Sequence, residues 1–230
     1  MPIPCEVKLS DITFLEKLKE SKYSAIFKVS IHGLLRVMKV YHNLDLCPPE
    51  WAPPDREVDL FVCESTAYQR LHDKGLCKRG LILDFYGTIT NIQPLLCQPS
   101  LGMFLEDKRP PNAVLIEYIP NMRMIDLSNF SERRVSELRR ILLEDIHPAG
   151  VLHGDPMPRN MMVQDKDGRV LWIDFDSAQT FTEDGFLTPR QEWWVKEEVE
   201  MVDYFVDALA RDCEDGKIDR TRSYYYEWFG

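Results

Sequence analysis

The stretch that decides the fold is HGDPMPRN, residues 153–160, and a second segment, WIDFDSAQTF, begins at Trp172. Two prolines exclude a regular helix through the first stretch, so Asp155 and Asn160 lie on irregular backbone. Asp174 follows the apolar run VLWI, at the point where a buried strand would end. Carboxylate and amide oxygens are ligands that Mg²⁺ prefers in proteins. The spacing therefore predicts a site in which fixed loops hold a hard cation.

Apolar periodicity predicts a β-rich first half of the chain. Three strands are expected within residues 12–41, in ITFLEKL, AIFKVSI and LLRVMKVY, and the last two are joined by a turn at His32-Gly33. The third strand contains Lys39. Asp55 is the predicted N-cap of a helix that runs to about His72. Further strands are expected at GLILDFYG and AVLIEYI.

The second half of the chain has the helical period. A helix is expected from Ser131 to about Pro148-Ala149-Gly150, and a hairpin follows it with a turn at Asp167-Gly168. The apolar face of a last helix is expected to consist of Val195, Val199, Val202, Val206 and Leu209. The pattern as a whole predicts an α+β protein with a β-rich and an α-rich lobe.

The motifs resemble the protein-kinase-like superfamily, in the right order and over essentially the whole chain. His153-x-Asp155-x-x-x-x-Asn160 resembles its catalytic loop. Asp174-Phe175 resembles the start of the metal-binding DFG segment, and Val37-Met38-Lys39 resembles the strand that carries the phosphate-binding lysine. The HGD form is similar to aminoglycoside and choline phosphotransferases and to small atypical kinases, including kinase-like proteins of fungi. The resemblance implies an antiparallel-sheet N-terminal lobe over residues 9–119, ending in the hinge, and a shortened helical C-terminal lobe over 120–230.

The resemblance also implies a role for each polar residue. ATP and Mg²⁺ are the implied cofactors, with Asn160 and Asp174 on the metal. Asp155 is the implied base or orienter of the attacking hydroxyl, and Lys39 is the implied contact of the α- and β-phosphates. Arg159 either stabilises charge on the phosphoryl oxygens or pairs with a surface carboxylate. The implied reaction transfers the γ-phosphate to a hydroxyl of a small molecule or of a specific partner protein.

Two glutamates on the predicted helix are candidate partners of Lys39. Glu64 lies on the apolar face of that helix, and Glu57 lies seven residues earlier on the same face. A carboxylate that points inward needs a partner, because an unpaired buried charge is expensive. We therefore expect Glu64 to pair with Lys39, with Glu57 as the alternative.

The adenine site is implied by position along the strand that leads into Pro120. Ile116 would be the gatekeeper, and the backbone of Glu117 and Ile119 would bind the adenine edge. Val37 lies on the same strand face as Lys39 and would cover the base.

Two departures from the kinase pattern concern nucleotide binding and regulation. The phosphate loop, LKESKYSAIF, has no glycine, so the hydroxyls of Ser21 and Ser24 are the expected contacts and loose nucleotide binding is an alternative. Gly154 replaces the arginine with which conventional protein kinases clamp a phosphorylated activation loop. Switching by activation-loop phosphorylation is therefore not expected.

The composition limits the kinds of partner and the cellular location that we expect for this protein. The net charge of −10 argues against a nucleic-acid partner. No secretory signal and no apolar stretch long enough for a bilayer are visible. The six cysteines have no zinc-ligand spacing, so reduced thiols in a cytoplasmic protein are expected.

Three functions remain open from the sequence. The first is a small-molecule or atypical kinase, the second is a pseudokinase that acts as a scaffold, and the third is a kinase or ATPase that works inside a complex. The aromatic tail, RTRSYYYEWFG, is expected either to pack on the helical lobe or to form a substrate or partner surface.

Overall fold

A computed structural model describes residues 7–44, 53, 55–164, 166, 168–183 and 185–225. The chain divides into two compact units. The first unit contains the residues up to Ser65 together with Asp84–Tyr118, and the second contains Thr66–Leu83 and the residues from Ile119 onward. The lobes predicted over 9–119 and 120–230 remain a prediction.

The first unit contains a five-stranded antiparallel sheet in the order β1-β2-β3-β5-β4. Its strands are β1 (Ile12–Glu20), β2 (Ser24–Ile31), β3 (Leu34–Tyr41), β4 (Phe85–Ile89) and β5 (Asn112–Glu117). The three strands predicted within residues 12–41 are confirmed. The turn between β2 and β3 has positive φ at both His32 and Gly33, which is the geometry that matches the twist of a two-residue hairpin.

One face of this sheet forms a hydrophobic core. Met38 and Val40 of β3 are fully buried there, beside alternate residues of β2 and β5. Ile92, Leu101 and Phe104, from the long connection between β4 and β5, cover this face. Because side chains alternate along a strand, Lys39, between Met38 and Val40, points to the opposite face of the sheet.

Helix α1 spans Leu60–Asp73, so its predicted start at Asp55 is wrong. The carboxylate of Asp59 accepts a hydrogen bond from the backbone N–H of Val62 at 3.1 Å, as an N-cap residue does. Glu57 therefore precedes the helix and is exposed. Its carboxylate accepts hydrogen bonds from the backbone of its two following residues.

The strand predicted at GLILDFYG begins later than expected, at Phe85. The side chain of Arg169 donates to the carbonyls of Gly80 and Ile82, at 2.9 and 2.8 Å. The Arg169 guanidinium, and not a neighbouring strand, donates to these two carbonyls. Ile82 therefore forms an isolated bridge with Trp172 instead of a strand.

Helix α2 (Glu132–Arg140) of the second unit begins after the predicted Ser131, whose side chain caps it. A π-helical segment (Ile141–Ile146) and a short 3₁₀ helix (His147–Ala149) continue it, and Gly150 ends it with a φ of 79°. The predicted apolar face is buried, and its members are Val135, Leu138, Leu142 and Ile146.

Short strands surround the catalytic-loop sequence in the second unit. A three-stranded sheet has the order β6-β8-β9, and a two-stranded sheet pairs β7 with β10. Their bounds are β6 (Met122–Met124), β7 (Val151–Leu152), β8 (Met161–Gln164), β9 (Arg169–Trp172) and β10 (Gln179–Thr180). Strands β8 and β9 form the predicted hairpin, in which Gly168 has a φ of 66° and Asp167 lies outside the described residues.

Helix α3 spans Pro189–Glu214 and begins at a capping box formed by Thr188 and Gln191. Its buried face differs from the predicted row of valines. Val195, Val199 and Val206 are only partly buried. The buried residues are Glu198, Val202, Phe205, Ala208, Leu209 and Asp212. The carboxylates of Glu198 and Asp212 on this buried face need hydrogen-bond donors, and both accept hydrogen bonds. A short helix, α4 (Arg222–Tyr225), follows.

None of the helices in the described part of the chain combines the length and the apolar character needed to span a bilayer.

Candidate active site

The first unit contains a buried ion pair at the predicted position. The ammonium of Lys39 lies 3.3 Å from Oε2 of Glu64, and the two side chains are 6% and 1% exposed. The hydroxyl of Tyr41 donates to the same carboxylate oxygen, and the Lys39 ammonium lies 5.0 Å from the centre of the Tyr41 ring. Lys39 and Tyr41 share a face of β3, so the strand presents both to α1. The predicted contact between Lys39 and Glu64 is thus present, and Tyr41 is a third member that the sequence did not indicate.

The phosphate loop is a tight connection of three residues, 21–23, between β1 and β2. The Ser21 hydroxyl oxygen accepts from the backbone N–H groups of Tyr23 and Ser24, at 3.2 and 3.1 Å. The same hydroxyl lies 3.3 Å from the Ser24 carbonyl, to which it donates. Ser21 therefore satisfies the backbone of its own loop, where a glycine-rich loop would offer free N–H groups to phosphate.

The predicted adenine contacts of the first unit share one region of the sheet. Val37 of β3 is the cross-strand partner of Ile116 of β5. Cross-strand partners lie on one face, so both apolar side chains lie on the face that carries Lys39. The backbone N–H of Glu117 donates to the carbonyl of Asp84 at 2.8 Å. Ile119, the other predicted contact, belongs to the second unit and is buried.

The catalytic-loop sequence folds around Asp155. Nη2 of Arg159 lies 2.8 Å from each carboxylate oxygen of Asp155. The side-chain nitrogen of Asn160 donates to the Asp155 carbonyl at 2.8 Å and to its carboxylate at 2.9 Å. The amide of Asn160 is therefore oriented with its nitrogen on Asp155. Within the described residues its Oδ1 accepts no hydrogen bond, so this oxygen suits a hard cation.

Asp174 lies beside this loop. The backbone N–H of Ile173 donates to the carbonyl of Asn160 at 3.2 Å, which brings the two predicted metal ligands onto adjacent segments. Asp174 itself has a φ of 67°, a conformation that side-chain-bearing residues adopt rarely. An amide oxygen and a carboxylate agree with Mg²⁺, which uses few protein ligands together with water and substrate phosphates. The residues present therefore fit the implied metal.

Comparison with known proteins establishes the fold. The structure of the Cydia pomonella granulovirus kinase PK-1 is similar to this chain with a TM-score of 0.51 and 14% sequence identity, over 89% of this chain and 71% of the viral one. This chain has a protein-kinase-like fold. Residues 83–180 match the phosphotransferase enzyme family APH. No curated protein sequence matches the chain. The two matches confirm the predicted superfamily and α+β fold class and support a kinase-like phosphotransferase.

The family match and the ion pair come from different parts of this kinase-like chain. Asp155, Asn160 and Asp174 lie inside the matched residues 83–180. Lys39 and Glu64 lie outside them, so their pairing is evidence that is independent of the family match.

Gly154 is required by the geometry of the kinase-like catalytic loop. Its φ is 79°, and a Cβ at this position would lie 2.1 Å from the carbonyl oxygen of Ser177. No side chain fits there, because real Cβ atoms do not approach backbone oxygen so closely. The arginine of conventional kinases is therefore excluded at this position by the segment that follows Asp174.

His153 anchors the loop from inside. It is fully buried, and its ring packs on Phe175 with centroids 4.7 Å apart. Nδ1 accepts from the backbone N–H of Asp155 at 3.3 Å, so Nε2 is the nitrogen that donates, to the carbonyl of Ile173 at 3.0 Å. This arrangement requires the neutral ring, and burial lowers the pKa of His153.

Glu198 of α3 is a site residue that sequence reasoning missed. Its carboxylate accepts from the backbone N–H groups of His153 and Gly154, at 3.1 and 2.6 Å. Nε2 of His147 lies 2.6 Å from the same group. Glu198 thus fixes the start of the catalytic loop. Its position one helical turn before Val202, on an apolar face, is the same kind of signal that indicated Glu64.

Proposed function

We propose that this chain is an ATP- and Mg²⁺-dependent phosphotransferase that transfers the γ-phosphate to a hydroxyl of a small molecule or of a specific partner protein. Lys39, held by Glu64, binds the α- and β-phosphates, and Asn160 and Asp174 hold Mg²⁺. Asp155 orients the attacking hydroxyl and accepts its proton. The metal, when bound, neutralises charge on the phosphates.

The nucleotide contacts of the proposed site follow the sequence resemblance. Arg159 supplies positive charge to the transferring phosphoryl group. The face of the sheet with Val37 and Ile116 receives the adenine, and the backbone of Glu117 and Ile119 binds its edge. Within the phosphate loop, Ser21 and Ser24 are the residues that lie nearest to the phosphates.

The observation that carries the proposal is the buried ion pair of Lys39 and Glu64. Removing two charges from water has a large desolvation cost, so a buried ion pair is a poor way to gain stability. The pair fits a functional role better, because a lysine held in a fixed direction can meet a phosphate.

The test is nucleotide binding and turnover in Lys39→Met, with Lys196→Met as the control. Lys196 is an exposed lysine of α3 that pairs with Glu200 at 3.5 Å. Mg-ATP at 100 times its Kd should stabilise the wild type by about 2.7 kcal/mol. We expect Lys196→Met to keep this thermal shift and ATP turnover and Lys39→Met to lose both. Equal turnover in the two variants would refute the role of Lys39.

The second candidate function is a pseudokinase that acts as a binding module, and the phosphate loop favours it. Ser21 takes the two backbone N–H groups that would otherwise meet phosphate. Absence of any thermal shift in the wild type at millimolar Mg-ATP would favour this candidate over catalysis.

A reducing, cytoplasmic setting is the location that we propose. In the described part of the chain no disulfide joins the four cysteines, which are Cys63, Cys77, Cys97 and Cys213. Disulfides form and persist mainly in oxidising compartments, so these cysteines agree with a reducing setting.

A further inference from the structure

The guanidinium of Arg159 is held from two sides. Nη2 contacts both carboxylate oxygens of Asp155, as described above. Nη1 donates to the backbone carbonyl of Tyr224 at 3.2 Å, across 65 positions of sequence. Within the described residues its Nε–H donates no hydrogen bond, and Nη1 has a second N–H, so two donors remain for a ligand. An arginine side chain has many rotamers, and two partners on different segments select one of them.

Tyr224 is in turn fixed by packing. Its ring lies edge-on against Phe205 of α3, with centroids 4.8 Å apart. Its backbone N–H donates to the carbonyl of Thr221 at 3.0 Å. Phe205 is 1% exposed and Thr221 is fully buried, so the Tyr224 carbonyl is attached to the interior of the second unit.

The turn before Tyr224 is attached to the same helix by one carboxylate. Asp212 of α3 is fully buried. It accepts from the backbone N–H groups of Asp219, Arg220 and Thr221 at 3.2, 3.0 and 3.1 Å. The hydroxyl of Thr221 donates to it at 2.8 Å. Nη1 of Arg220 also donates to it, at 3.2 Å. Five donors on one carboxylate make residues 219–224 a rigid segment rather than a loose connection.

We propose that residues 219–224, which we call the latch, position Arg159 on the catalytic aspartate. Asp212 and Phe205 hold the latch, the Tyr224 carbonyl holds Arg159, and Arg159 holds the carboxylate of Asp155. Tyr224 and Asp212 are therefore positioning residues. They act on the reaction only through Arg159, and the effect on turnover rests on the function proposed above.

The restraint on Arg159 can be measured without any enzymatic activity. In protein labelled with ¹⁵N-arginine, a guanidinium held at Nη1 and Nη2 rotates slowly about Nε–Cζ and gives separate Nη signals. Arg159→Lys identifies the signals by their loss. We expect Tyr224→Phe, which keeps the ring, to retain them and Tyr224→Ala and Asp212→Asn to lose them. Asp126→Asn is the control, because Asp126 also holds a turn of the second unit but does not contact Arg159.

The rate of ATP turnover tests whether the position of Arg159 affects catalysis. ATP hydrolysis in the presence of Mg²⁺ should show kcat lowered about tenfold in Tyr224→Ala, with KM for ATP unchanged, since a small displacement of a catalytic group has effects of this size. Asp126→Asn should keep the wild-type kcat. Thermal unfolding identifies any variant that fails to fold, and Tyr224→Ala, which removes only a ring, remains interpretable if Asp212→Asn does not fold.

The outcomes separate the two proposals. Slow Nη signals that persist in folded Tyr224→Ala overturn the latch. Lost signals with an unchanged kcat overturn its role in positioning. A wild type that shows the signals but no turnover of ATP contradicts the proposed function and leaves the latch established as a structural element.

Discussion

The ammonium of Lys39 and the carboxylate of Glu64 lie 3.3 Å apart with almost no exposure to solvent. Glu64→Gln leaves the lysine buried without a countercharge, so we expect the free energy of unfolding to fall by about 3 kcal/mol. ATP turnover should fall as well, because Lys39 loses its orientation.

Glu57→Gln is the control for this prediction. Glu57 precedes α1 and is exposed, so its substitution should change stability by less than about 0.5 kcal/mol. The measurements are chemical denaturation and ATP hydrolysis of the two variants. A larger effect of Glu57→Gln on turnover would contradict the assignment of Glu64 as the partner of Lys39.

Asp174→Ala should abolish Mg²⁺-dependent turnover, with a loss of at least about 100-fold, or about 2.7 kcal/mol. Asp174→Asn is the informative comparison. Asparagine tolerates the positive φ of this position better than alanine does. We therefore expect Asp174→Asn to be as stable as the wild type and as inactive as Asp174→Ala. A Mg²⁺ titration of turnover with both variants is the measurement, and full activity in either variant would remove Asp174 from the metal site.

Gly154→Ala should be strongly destabilising because it combines two penalties. Positive φ costs alanine about 1 kcal/mol, and the approach of Cβ to the Ser177 carbonyl adds about 2 kcal/mol more. Gly75→Ala separates the two, since Gly75 has a φ of 81° but nothing within 4 Å of the added Cβ. Thermal unfolding should place Gly75→Ala about 1 kcal/mol below the wild type. Equal losses in the two variants would show that the loop moves aside.

Asp212 predicts a pH dependence of stability. Burial alone would raise its pKa, but the hydrogen bonds from Arg220, Thr221 and Asp219 outweigh burial and lower the pKa from 3.8 to about 2. The folded state therefore binds fewer protons than the unfolded state between these values. The resulting stabilisation, about 2 kcal/mol, is present above pH 4 and disappears as the pH falls towards 2.

Asp212→Asn removes the ionised carboxylate, so we expect it to be less stable than the wild type at neutral pH. The difference in stability should shrink below pH 4. Asp219→Asn is the control, because the Asp219 carboxylate is exposed and pairs with Lys217 at 3.5 Å. Urea denaturation between pH 7 and pH 2.5 gives both curves. A difference between Asp212→Asn and the wild type that does not change with pH would contradict the role of the ionised carboxylate.

Phe175 should stay in place when nucleotide binds. It is fully buried between His153 and Tyr68, and Asp176 follows it where conventional kinases have glycine. A side chain at that position disfavours the positive-φ states that an inverted segment needs. Crystal structures with and without Mg-ATP should show the same Phe175 rotamer, and opposite positions would disprove the prediction.

Much of the candidate site was predictable because its signals are local. Asp155 and Asn160 lie in one stretch whose backbone two prolines restrict, and Asp174 follows at the end of the next apolar run. Glu64 was predictable because a carboxylate on an apolar helix face needs a buried cation. The three N-terminal strands followed from periodicity and from one turn.

Helix boundaries and the phosphate loop were decided by hydrogen bonds that the pattern does not specify. Two acidic residues, Asp55 and Asp59, were equally suitable caps by type, and the backbone path chose Asp59. The sequence also left open whether the Ser21 hydroxyl meets a phosphate or its own loop. In the structure, the turn is tight enough that the Ser21 hydroxyl accepts from the backbone N–H groups of Tyr23 and Ser24. The length of the loop does not by itself predict these hydrogen bonds.

The sequence by itself indicated the superfamily and the strands of residues 12–41, and it predicted which residues have catalytic chemistry. Only the tertiary structure decided what holds them. Glu198 reaches His153 across 45 positions, and Tyr224 reaches Arg159 across 65. Periodicity and spacing report which face of an element is buried, but they carry no information on which distant element covers it. Contacts of this kind are therefore fixed only when the helices pack.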